Sequence, residues 1–119
     1  MTATQTSHFG PLVSLHEGFF ERFLFLLPSV QRVISSFETK NVVFVGHSMG
    51  GAIAILMALE YRHKLKVNCF TLAAPIIGDE RFRNMQFYFT LFSTEDTLMT
   101  RFFQHKAKLY QPKIQQRIK

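Results

Sequence analysis

The spacing of apolar positions changes several times along the chain. Over residues 17–37, Phe19, Phe20, Phe23, Leu24, Leu27, Val30, Val33, Ile34 and Phe37 recur at the three- and four-residue intervals of one helix face. Pro28 falls inside that pattern, so it either kinks one helix or opens a second. Residues 41–45 (NVVFV) form an uninterrupted β-branched run, the pattern of a strand buried on both faces of a parallel sheet. A sharp turn follows at 46–50, then a helix of alanine, isoleucine and leucine over 49–63. Residues 66–72 (KVNCFTL) read as a second strand, 73–79 as a loop and 80–85 as one helical turn. Residues 86–92 (QFYFTLF) read as a third strand, closed by a loop over 93–97. Residues 1–15 read as irregular, and 100–119 carry only weak helical periodicity. Strand, helix and strand in alternation predict an α/β fold.

Composition adds little to this outline and charge adds one feature. The 119 residues suit a single domain with one core, with no internal repeat or low-complexity run. The net charge of +6 is unevenly placed: residues 1–99 balance, and the excess is Arg101, Lys106, Lys108, Lys113, Arg117 and Lys119. That stretch reads as a solvated tail, or as a surface for anionic lipid. No nucleic-acid motif accompanies it, so no nucleic-acid partner is expected. Cys69 is the only cysteine and sits in an apolar run, as a core thiol would. It says nothing of compartment. Residues 41–59 carry no charge, but Asn41, His47, Ser48 and three glycines interrupt them, which suits a strand, turn and helix better than a membrane span. No secretory signal is visible, and localisation is not readable.

The chemistry concentrates at Gly46-His47-Ser48-Met49-Gly50-Gly51. This is G-x-S-x-G between an apolar strand and an apolar helix, the context of a nucleophile elbow. A serine projecting from a strained turn needs neighbours without bulk two residues to either side, and Gly46 and Gly50 supply them. Gly51 and Ala52 let the helix approach the sheet. The hydroxyl then lies near a helix N-terminus, where developing negative charge is favoured, and the Met49 backbone N–H becomes an oxyanion donor. A Gly-rich strand–helix turn that merely contains serine is the plainer alternative. Dinucleotide and phosphate loops are excluded, because G-x-G-x-x-G and G-x-x-x-x-G-K-[ST] are both absent.

Four segments in order resemble the class 3 (fungal-type) lipase family. VGHSMGGAIAILMAL resembles the family's GHSLGGA elbow, and LHEGFF at 15–20 resembles its V-H-x-G-F segment. CFTLAAPIIGDERF at 69–82 is similar to Y-T-F-G-x-P-R-V-G-[DN]-x-x-F, with Ala73 for Gly and Ile76 for Arg. LFSTEDTLMTRFF at 91–103 is similar to N-x-x-D-x-V-P-x-L-P, with Leu98 for Val and Met99 for Pro. The resemblance covers 15–103 within a single domain of 1–119, leaving 104–119 as a basic tail. It implies an α/β-hydrolase core, a mostly parallel sheet with flanking helices, apparently truncated at both ends.

The resemblance also implies roles. Ser48 is the nucleophile and Asp96 the triad acid, with Glu95 the competing carboxylate. His105 is the candidate base, as the only histidine after Asp96; the family's triad histidine lies farther on. His16 matches a position where packing is the usual role. His8 falls in the irregular start, His47 diverges from Ser48, and His63 lies about 22 Å along the helix. The family's R-G-T-like strand, which carries a second oxyanion donor, and its lid have no counterpart here. Little lipase turnover is therefore expected of the isolated chain. The implied function is hydrolysis of acylglycerol or related lipid esters, with contact at a lipid or membrane interface and no metal or organic cofactor. The alternative is a non-catalytic lipase-like module that binds lipid, membrane or a protein partner.

Overall fold

A computed structural model describes residues 2–85. Its elements are β1 (Ala3–Thr6), β2 (Val13–His16), α1 (Glu17–Ser35), β3 (Asn41–His47), α2 (Met49–Tyr61), β4 (Lys66–Leu72) and α3 (Glu80–Arg83). The readings of 86–119, namely the third strand, the loop and the basic tail, lie outside the described residues.

α2 is apolar all round because it is covered on two sides, as a helix without a polar face requires. It packs on β3 and β4 below and on α1 above. Ala52, Ala58, Leu56 and Leu59 are at most 1% exposed. The small alanines permit close approach and the leucines fill the space between. α1 is amphipathic instead: Phe19 and Phe23 are buried, whereas Phe25 and Val33 face solvent. Pro28 neither ends the helix nor opens another, since α1 runs unbroken from Glu17 to Ser35. Its missing N–H leaves the Leu24 carbonyl without its helical donor, and both residues lie on the exposed side, where water can replace it.

β3 and β4 are parallel neighbours, in register from Asn41 opposite Lys66 to His47 opposite Leu72. Their alternate residues Val42, Phe44, Cys69 and Thr71 turn toward α2. The expected burial of both faces is met on that face only. Val43, Val45, Phe70 and Leu72 on the other are 39–73% exposed, because nothing among the described residues covers them. Cys69 is fully buried, and desolvation pushes its thiol up to about 12. At pH 8 its thiolate is then about 10⁻⁴ of the total. Iodoacetamide at pH 8 is expected to leave Cys69 unmodified in the folded chain and to alkylate it in urea; mass spectrometry reads both, and rapid alkylation without denaturant would contradict this burial.

The N-terminal stretch is not irregular. β1 and β2 form an antiparallel hairpin, Ala3 opposite His16 through Thr6 opposite Val13. Val13 and Leu15 anchor it, buried at 0% and 1% exposure. His8 is likewise tied down: its Nε2 lies 2.6 Å from Glu60 Oε1 at the far end of α2. Arg62 Nη2 donates to the Phe9 carbonyl at 2.9 Å beside it. The segment after β4 returns along β2, with the His16 N–H donating to the Ile77 carbonyl at 2.7 Å and the Asp79 N–H to the Ser14 carbonyl at 3.0 Å. Asp79 then caps α3 by accepting the Phe82 N–H at 3.0 Å. Burial alone would raise its pKa; hydrogen bonds from Phe82 and Arg81 outweigh that and hold the carboxyl low.

Candidate active site

Ser48 stands alone between β3 and α2, at φ 54° and ψ −122°. A side chain at such a positive φ crowds its own backbone, and a strained non-glycine residue of this kind is characteristic of functional turns. The surrounding bonds hold it there. The Ser48 N–H donates to the Leu72 carbonyl at 2.9 Å, tying the turn to the end of β4. The Ser48 carbonyl accepts from Gly51 at 2.9 Å and Ala52 at 3.2 Å, which starts α2. The hydroxyl does not cap the helix. The N–H groups of Met49 and Gly50, which precede the first of these bonds, point out of the helix start and contribute to the positive end of its dipole.

The glycines around Ser48 divide by what space they need. A Cβ on Gly46 would lie 2.1 Å from the Gly50 carbonyl oxygen and 2.6 Å from the Gly51 nitrogen. One on Gly51 would meet Ala74 Cβ at 2.9 Å and Thr71 Cβ at 3.2 Å, so this glycine sets the helix–sheet distance. A Cβ on Gly50 would meet nothing within 4 Å among the described residues outside its own helix backbone. The expectation that Gly50 makes room for the turn is thus corrected: within α2, its side-chain position meets no described neighbour.

Ala73 follows β4 beside the elbow, fully buried and at φ 56°. It occupies a left-handed position that glycine would take without strain. Ile76 and Ile77 behind it are 9% and 1% exposed, an apolar environment that suits isoleucine at 76. On the other side of the elbow, an open cleft of about 520 Å³ is walled by His16, Phe19, Arg22 and Phe25 from the start of α1 and by Met49.

The family described as lipase (class 3) matches residues 2–106. The chain belongs to the class 3 lipases. Among solved structures, lipase II from Rhizopus niveus superposes with a TM-score of 0.56 at 23% identity, over 69% of this chain and 34% of that one. The triacylglyceride lipase of Rhizomucor miehei gives 0.54 at 27% identity, over 71% and 36%. The described elements are therefore part of an α/β-hydrolase core. A curated relative, Protein EDS1 of Arabidopsis thaliana, is 40% identical over a 63-residue alignment that covers 45% of this chain and 10% of that protein. This class 3 lipase chain spans about a third of the solved lipases and a tenth of that relative.

Of the residues singled out from the sequence, Ser48 and Met49 fall together at the elbow, and Asp96 and His105 lie outside the described residues. The other imidazoles are placed elsewhere or engaged otherwise. His8 is held at Glu60, twelve residues along α2 and so about 18 Å from Ser48. His47 points to the exposed sheet face. His16 accepts the Phe19 N–H through Nδ1, which leaves its proton on Nε2. A triad base needs the reverse, with Nε2 accepting from serine. The capping role of His16 was not legible in the sequence, since histidine is not among the usual capping residues. No helix among the described residues is long and apolar enough to cross a membrane.

Proposed function

We propose that the chain is the nucleophile-bearing core of a serine ester hydrolase that acts on acylglycerols or related lipid esters. The strained Ser48 turn in a class 3 lipase chain carries this reading. Ser48 Oγ bonds to the ester carbonyl carbon and its proton passes to an imidazole, for which His105 is the candidate, oriented by Asp96. The carbonyl electron pair moves onto oxygen, which the Met49 N–H stabilises. The pair returns, the alcohol leaves with the proton, and water releases the acid from Ser48 by the same steps. The triacylglyceride lipase of Rhizomucor miehei, similar in fold, supports the substrate class. The open cleft beside Met49, with its Phe19 and Phe25 walls, suits an acyl chain.

A fluorophosphonate probe tests the reading. Stoichiometric labelling at Ser48, absent from Ser48→Ala, is expected. A native chain that resists labelling under conditions where an ordinary lipase reacts would overturn it. That result would favour a non-catalytic lipase-like module, a reading supported by the exposed apolar face of β3 and β4.

A further inference from the structure

Four residues near the start of α1 share a patch that the core does not use. Gly18, Glu21, Arg22 and Phe25 are spaced i, i+3, i+4 and i+7, so they form a diamond on the helix surface. Glu21 and Arg22 lie side by side, with Gly18 a turn before them and Phe25 a turn after. All four wall the open cleft of about 520 Å³. Gly18 has no side chain to fill the space before the pair. Phe25 is 74% exposed, so its ring is offered to solvent rather than to the core. Glu21 and Arg22 carry opposite charges yet are poorly placed to neutralise each other, because adjacent positions on a helix point about 100° apart. Neither takes part in the ion pairs among the described residues, which are His8 with Glu60, Arg81 with Asp79 and Arg83 with Glu80.

A ligand that carries both charges matches this arrangement. We infer that the cleft binds a zwitterionic amphiphile, a hydrocarbon chain bearing a phosphate and an ammonium group. The Arg22 guanidinium donates paired hydrogen bonds to phosphate oxygens. The Glu21 carboxylate attracts the ammonium by charge, and the exposed Phe25 ring attracts it through its π face. An anion alone would meet Arg22 with the repelling Glu21 beside it, and a cation alone would meet the reverse. Only the zwitterion is favoured by both. Phe19 and Met49 supply apolar wall for the chain, and the volume is in the range of small-ligand sites. As the polar end of a lipid-ester substrate, the ligand rests on the hydrolase reading above. Binding itself does not need Ser48, so the two can fail separately.

Calorimetric titration of the full chain with monomeric dodecylphosphocholine tests this. Dodecyl phosphate, dodecyltrimethylammonium and neutral dodecyl maltoside are titrated beside it, the last also controlling for adsorption to the exposed face of β3 and β4. Dodecylphosphocholine is expected to bind one to one, about fivefold more tightly than any of the other three. Arg22→Gln should weaken dodecylphosphocholine and dodecyl phosphate by about fivefold and spare dodecyltrimethylammonium. Glu21→Gln should weaken dodecylphosphocholine and dodecyltrimethylammonium and spare dodecyl phosphate. Both side chains are exposed, so Tm should stay within about 4 °C of the native value. Free phosphocholine, without the chain, should bind at least about tenfold more weakly. Dodecyl maltoside or free phosphocholine binding as tightly as dodecylphosphocholine, or either glutamine variant binding dodecylphosphocholine as tightly as the native chain, would overturn the inference. A chain that takes the fluorophosphonate probe but binds no dodecylphosphocholine overturns it and leaves the hydrolase reading; binding without labelling does the reverse.

Discussion

Gly46→Ala is expected to lower stability by about 3 kcal/mol or more, or to leave the chain unfolded, as overpacking against fixed atoms does at its upper end. The added methyl would sit 2.1 Å from the Gly50 carbonyl oxygen, 2.4 Å from its carbon and 2.6 Å from the Gly51 nitrogen. All three are backbone atoms of the first turn of α2, so no rotamer change can relieve the clash. The φ of Gly46 is not in the left-handed region, so the effect is steric rather than conformational. Gly50→Ala is the matched control. It adds a methyl to open space within a helix and should raise stability by up to about 1 kcal/mol. Urea unfolding of the two variants beside the native chain measures both. Equal stability for Gly46→Ala and the native chain would show that the turn differs from the one described.

Those two glycines also show how far a pattern can be read. G-x-S-x-G marks both as small, yet only Gly46 is held by contact. The strand–turn–helix context was legible because its signals are local: a β-branched run, a break and an uninterrupted apolar helix. Signals that depend on distant partners were not. Thr4, Gln5 and Thr6 carry no apolar stripe, and β1 exists because β2 supplies its hydrogen-bond partners around the buried Val13 and Leu15. His8 looks like part of a free terminus until Glu60, fifty-two positions away, is beside it. Pro28 suggested a break in α1, but a proline on a helix's solvent side leaves its orphaned carbonyl to water. The site divides in the same way. The nucleophile follows from local pattern, whereas the capping of α1 by His16 depends on how β2 delivers the ring to the first turn of α1.

Ser48→Gly should move function and stability in opposite directions. At φ 54° and ψ −122°, Ser48 occupies backbone space that costs a side-chain-bearing residue about 1–3 kcal/mol. Glycine adopts it freely, although the greater freedom of its unfolded chain gives back about 0.5–1 kcal/mol. A net gain of about 1 kcal/mol is expected. Ser48→Ala keeps the Cβ and its strain, so its stability should stay within about 0.5 kcal/mol of the native chain. Both variants lack Oγ, so both should lose the fluorophosphonate labelling that the hydrolase proposal expects of the native chain. The comparison isolates the strain: the two variants share the functional loss and differ only in the side chain that the turn must accommodate. If Ser48→Gly is no more stable than Ser48→Ala, the turn stores no strain. If it is more stable, that difference is the stability the fold gives up to hold a serine, rather than a glycine, at the N-terminus of α2.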